Sequence, residues 1–141
     1  MPSACLIKCV TMIKRVNEVT ETRVASVYKD DNDIVVILMK HAGLIDEEDI
    51  LDLNLVIRKH AEKKAIYKLL DARANFDFDK KAKALTEKEE HISKTKARAI
   101  LVSNSMKASL QNFLKEFSHN KYPQKFFTDY DEAYEWLMSH I

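Results

Sequence analysis

The chain predicts a single α/β domain with a mixed, mostly parallel sheet of about five strands and four helices. Three observations carry this. Two β-rich runs, ETRVASVY (21–28) and DIVVILMK (33–40), are separated only by polar residues, which reads as an antiparallel hairpin. Each later apolar run, at 65–73, 97–103 and 121–127, follows a segment of helical period, the order expected of parallel strands joined by right-handed crossovers. Finally, 141 residues with one Gly and two Pro show no linker, repeat or low-complexity stretch, so the length is that of one domain.

Taken in order, the first strand alternates, with Val24, Ser26 and Tyr28 on one face and Arg23, Ala25 and Val27 on the other. The second is apolar throughout, as a central strand covered on both faces must be. Residues 45–64 then form a helix, with acids at its start and bases at its end to complement the helix dipole. Ile50, Leu53, Val56, Ile57 and Ala61 make its core stripe. A strand over 65–73 leads through the loop ANFDFD into a charged helix over 79–96. Asp79 is placed to cap that helix, and its stripe of Ala82, Leu85 and Ile92 is thin. A buried strand (97–103), a helix (104–120), a short strand (121–127) and a last helix follow. Thr128 or Asp129 caps the last helix, and Ala133, Trp136, Leu137 and Ile141 form its packing face. Residues 1–20 stand outside this pattern as an N-terminal arm, leaving 21–141 as the domain.

Composition narrows the function classes. Lys+Arg 23 against Asp+Glu 22 gives a net charge of +1, which supplies no general attraction to nucleic acid. No run approaches the ~20 apolar residues of a membrane span. Lys8 interrupts the apolar stretch near the start that would otherwise suggest a signal peptide. Cys5 and Cys9 lack the further Cys or His partners that zinc needs, and reduced thiols in a cytoplasmic protein are expected. His41, His60, His91, His119 and His140 are scattered without ligand spacing, so neither a metal nor another cofactor is expected.

The C-terminal segment ARAILVSNSMKASLQNFLKEFSHNKYPQKFFTDYDEAYEWL carries a recognisable pattern. A strand introduced by Arg and small residues precedes a helix. A short strand with Pro123, Lys125 and Phe127 comes next, then a capped helix with Glu132, Ala133, Trp136 and Leu137. In this it resembles the SpoIIAA-like proteins of the STAS superfamily, the bacterial anti-sigma-factor-antagonist fold. The resemblance implies a STAS-like domain over 21–141, with regulatory partner binding or lipid binding as its usual roles. Switching members of the superfamily begin a helix with D-S-S-G and phosphorylate a serine there. Asp71 and Asp79 match the acids of that pattern, but Lys80 and Lys81 stand where the serines belong. No Ser or Thr occurs between Lys68 and Thr86. The serine switch is therefore expected to be absent.

Other chemistries fit less well. A haloacid-dehalogenase-type phosphotransferase needs Asp-x-Asp directly after an apolar strand, whereas Asp77 and Asp79 follow ARANF. A receiver-like phosphoacceptor would use Asp30 and Asp31, Asp71, Ser103 and Lys125, and requires them to converge. The leading expectation is a non-enzymatic interaction or regulatory module whose partner is a second copy of itself or a regulatory protein. Asp71, Asn75, Asp77 and Ser103 are its candidate contact residues, because open α/β sheets bind at strand carboxyl ends. The alternatives are an apolar-ligand or lipid-binding protein with Phe113, Phe117 and Trp136 lining the pocket, and the receiver-like phosphoacceptor.

Overall fold

The computed structural model describes residues 18–62, 64–92, 95–105 and 122–141. Among them are eight strands and three helices. The strands are β1 (Thr20–Glu21), β2 (Ala25–Lys29), β3 (Ile34–Met39), β4 (Gly43–Ile45), β5 (Ile66–Asp71), β6 (Phe76–Phe78), β7 (Thr95–Leu101) and β8 (Gln124–Phe127). The helices are α1 (Glu47–Ala61), α2 (Lys80–Ile92) and α3 (Tyr130–Met138). Six strands form the main sheet in the order β1-β2-β3-β5-β7-β8. Its first two pairings are antiparallel and the other three parallel. The α/β class and the mixed sheet hold, whereas the expected count of about five strands does not. The helix expected over 104–120 falls almost wholly outside the described residues, and so does most of the N-terminal arm.

Two short strands account for part of the difference in strand count. β4 and β6 pair in parallel as a separate two-stranded sheet, joining Gly43 to Phe76, Leu44 to Asp77 and Ile45 to Phe78. The stretch expected as the loop ANFDFD thus contains a strand, and the residues just before α1 contain its partner. Gly43 opens β4 at a φ of +66°, a conformation that glycine adopts without the steric penalty of a Cβ.

The expected first strand is also divided. Thr22 accepts from the Val24 and Ala25 amides and turns the chain between β1 and β2. Val24 therefore joins the same apolar cluster as Ala25 and Val27, instead of facing away from them with Tyr28. On β3 alternate residues serve opposite faces. Val35 and Ile37 pack with Ile50, Leu53 and Ile57 of α1 and Ala82 of α2. Ile34 and Val36 pack with Leu69, Ala97, Ala99, Phe127 and the α3 residues Ala133 and Leu137. That double duty is why β3 is apolar without interruption.

Helix ends follow local chemistry. Asp46 and Asp49 form a reciprocal capping box at the start of α1, and Glu62 closes its far end in the left-handed region. Of the two candidates for capping α3, Asp129 does so, accepting from the Glu132 amide at 3.0 Å. Ile141 lies beyond α3 and is exposed, which corrects its expected place on the packing face.

Candidate functional site

The parallel strands end along one edge, where Asp71, Asn75 and Ser103 lie at or just past the ends of β5 and β7, while Asp77 lies in the separate β4–β6 sheet. Asp71 closes β5, in register with Leu101 of β7, so Ser103 lies two residues past its neighbour. Both Asp71 oxygens are taken. Oδ1 accepts from Arg73 Nε at 3.0 Å and from the Arg73 amide at 3.2 Å, and Oδ2 accepts from Arg73 Nη2 at 2.8 Å. The carboxylate in turn pushes the Arg73 guanidinium pKa upward, the hydrogen bond being the main cause. Asn75 donates its amide to His41 Nδ1 at 2.9 Å, which ties the connection after β5 to the one after β3. Asp77 sits exposed in the middle of β6 and accepts from the Phe78 amide. Ser103 Oγ lies 3.2 Å from Ser105 Oγ.

The start of α2 is capped by its own aspartate. Asp79 Oδ1 accepts from the Ala82 amide at 2.7 Å, so one of the free N–H groups of this helix end is already satisfied by a carboxylate. The Asp79 amide is itself held by Ile45 O at 3.0 Å. Lys80 and Lys81 follow, both exposed.

Asp30 is not at this edge. It precedes β3, whereas Asp71 is in register with Leu38 near the end of that strand. At ~3.3 Å per residue, the four steps from Ile34 to Leu38 alone separate the two acids by roughly 13 Å. That rules out hydrogen-bond convergence between them. Asp30 Oδ1 instead accepts from the Asn32 and Ile34 amides, at 2.9 and 3.0 Å, and shapes the β2–β3 turn. Among the described residues no three His, Cys, Asp or Glu side chains gather as metal ligands. No helix among them is long and apolar enough to cross a membrane.

Of the expected apolar-pocket residues, Phe113 and Phe117 lie outside the described residues. The Trp136 ring packs against Phe127 and His140, with centroids 5.7 and 4.4 Å away.

A groove of about 610 Å³ does lie along α3, lined by Tyr28, Asp30, Tyr130, Asp131, Tyr134, Glu135 and Met138. Tyr130, Tyr134 and Met138 are four residues apart, so they share one side of the helix, and Asp131 and Glu135 form the adjacent row. The Tyr130 and Tyr134 rings stack at 6.1 Å. Tyr134 donates its hydroxyl to Asp30 Oδ2 at 2.5 Å and accepts from Asn32 Nδ2 at 2.7 Å. Burial, reinforced by the Asp30 carboxylate, pushes the Tyr134 phenol up to about 12. Burial is also the first cause of the raised Tyr28 and Tyr130 pKa values. The Tyr-x-x-x-Tyr-x-x-x-Met spacing was the available sequence signal. It gives no sign of Tyr28 or Asp30, which join from across the sheet.

Comparison with known proteins agrees with this frame. A crystal structure of an uncharacterized protein from the DUF3478 family with a SpoIIAA-like fold, from Shewanella loihica PV-4, superposes with a TM-score of 0.58. It is 20% identical, over 80% of this chain and 91% of that one, and at that identity the likeness establishes the SpoIIAA-like fold alone. No curated protein sequence matches the chain. Residues 28–141 match the family described as Domain of unknown function (DUF7793), and the chain belongs to that family.

Proposed function

We propose that the protein is a non-enzymatic binding module, a SpoIIAA-like frame that works without the phosphorylated-serine switch. The observation that carries this reading is the start of α2. An aspartate side chain caps it, and lysines occupy the positions of the serines in the switching pattern. Phosphorylation acts by placing a dianion where free N–H groups or cations receive it. Here the chain supplies its own carboxylate, and neither lysine has a hydroxyl to modify. Asp71 is a poor phosphoacceptor for a related reason. Arg73 engages both of its oxygens, and the acidic pair that would hold magnesium beside it is at the other end of β3. The module then acts by occupancy, in the cytoplasm, with a second copy of itself or a regulatory protein as partner.

Intact-mass spectrometry after incubation with acetyl phosphate and magnesium tests the reading. The expected result is an unchanged mass. A phosphoryl adduct that maps to Asp71, and disappears in Asp71→Asn, would overturn it in favour of a phosphoacceptor. Sedimentation across a concentration series reads the self-association directly.

A further inference from the structure

The groove along α3 has a composition at odds with the chain as a whole. Acids and bases balance overall, yet among the described residues its lining holds three carboxylates, three tyrosine rings and a methionine, with no lysine or arginine. We propose that this groove binds a linear aliphatic polyamine. The proposal deepens the binding-module reading by naming a ligand class for it.

Size comes first. About 610 Å³ falls within the range of sites that take small ligands, ~300–1,000 Å³. The walls come next. Tyr130 stacks on Tyr134 and Tyr28 lines the same groove beside Tyr130, and an ammonium over a neutral ring face gains a cation–π attraction. None of these three rings has a lysine or arginine over it among the described residues. Tyr134 is fixed in place from two sides by Asp30 and Asn32, so little ordering is left to be done on binding.

The carboxylates then select the ligand. Asp30 is already engaged, by two amides and a phenol. Asp131 and Glu135 are exposed and form no ion pair among the described residues. One helical turn apart, at roughly 6 Å, they offer a row of negative charge along the groove. A chain carrying successive ammonium groups meets both acids at once, while its methylenes lie on the rings and on Met138, a flexible apolar contact. A single cation leaves one acid unanswered. An anion is repelled, and a lipid tail would have to desolvate the carboxylates without compensation.

Titration calorimetry of the full chain with spermidine at low salt is the test, with melting curves confirming that each variant is folded. The expected result is saturable one-to-one binding that weakens as salt is added. Asp131→Asn with Glu135→Gln should weaken it about tenfold. Tyr134→Leu should weaken it about fivefold, while Tyr134→Phe, which keeps the ring, stays within about twofold. No saturable heat with the wild-type chain overturns the proposal. So does binding that the double variant leaves unchanged, which would place any spermidine elsewhere. Binding of a lysine-rich peptide but not of spermidine also overturns it and assigns the groove to a protein partner. None of these outcomes bears on phosphoryl acceptance, which the mass measurement reads separately.

Discussion

Leu137→Ala removes the side chain that fastens α3 to the sheet. Leu137 is fully buried and packs in a cluster with Ile34, Val36, Leu69, Ala97, Ala99, Leu101, Phe127 and Ala133. Deleting three carbons forfeits roughly 2.4 kcal/mol at ~0.8 kcal/mol per buried carbon. Three of the neighbours are alanines, too short to swing into the space. A residual void of about 50 Å³, at ~24 cal/mol per Å³, then adds ~1.2 kcal/mol. The total is about 3.5 kcal/mol. With an unfolding entropy of ~0.3 kcal/mol/K for a chain of this length, the melting temperature should fall by about 12 °C. Urea denaturation followed by Trp136 fluorescence is a suitable assay, because the chain has one tryptophan and it lies on α3. Met138→Ala, on the exposed side of the same helix, is the control and should change little. A loss below about 1 kcal/mol for Leu137→Ala, or one matched by the control, would refute the packing argument.

Two further perturbations probe the connections. Arg23 donates Nε to Asp49 Oδ1 at 2.8 Å and Nη2 to Oδ2, and this pairing is the first cause holding the Asp49 pKa down at about 2. A depressed carboxylate stabilises the fold above its unfolded pKa of about 3.9, and that stability is lost as pH falls toward the folded value. Asp49→Asn should therefore melt below the wild type at neutral pH, with the gap shrinking between about pH 4 and 2. A gap constant across that window would show that the charge contributes nothing. Asp79→Ala removes the cap of α2 and should cost about 1 kcal/mol in urea denaturation. A neutral result would mean that the Ala82 amide finds another acceptor.

The parts of the fold legible in the sequence were those specified by neighbours in the chain. The stripe and charge gradient of α1, the cap of α3 and the uninterrupted apolar run of β3 each lie within a few residues, where periodicity and capping act. β4 and β6 were not legible, because three residues such as Phe-Asp-Phe alternate no more convincingly than a loop does. Their pairing is settled only when Gly43–Ile45 and Phe76–Phe78 meet in space. The Arg23–Asp49 pair, 26 residues apart, escaped for the same reason. At the candidate sites, the rule for strand carboxyl ends put Asp71, Asn75 and Ser103 at the sheet edge where they lie. Tyr28 and Asp30 were not connected with α3, since the Asp30–Tyr134 contact spans 104 residues.

The β4–β6 ladder also limits how this chain can change length. In most parallel sheets each connection after a strand can gain or lose residues on its own. Here the connections after β3 and β5 are stitched together, Ile45 to Phe78, with Ile45 fully buried beside α1. A residue inserted within either short strand shifts the alternation by one and turns a buried side chain toward water. An insertion is therefore expected to be tolerated less well within the ladder than outside it. The two segments share one register although 30 residues of chain lie between them.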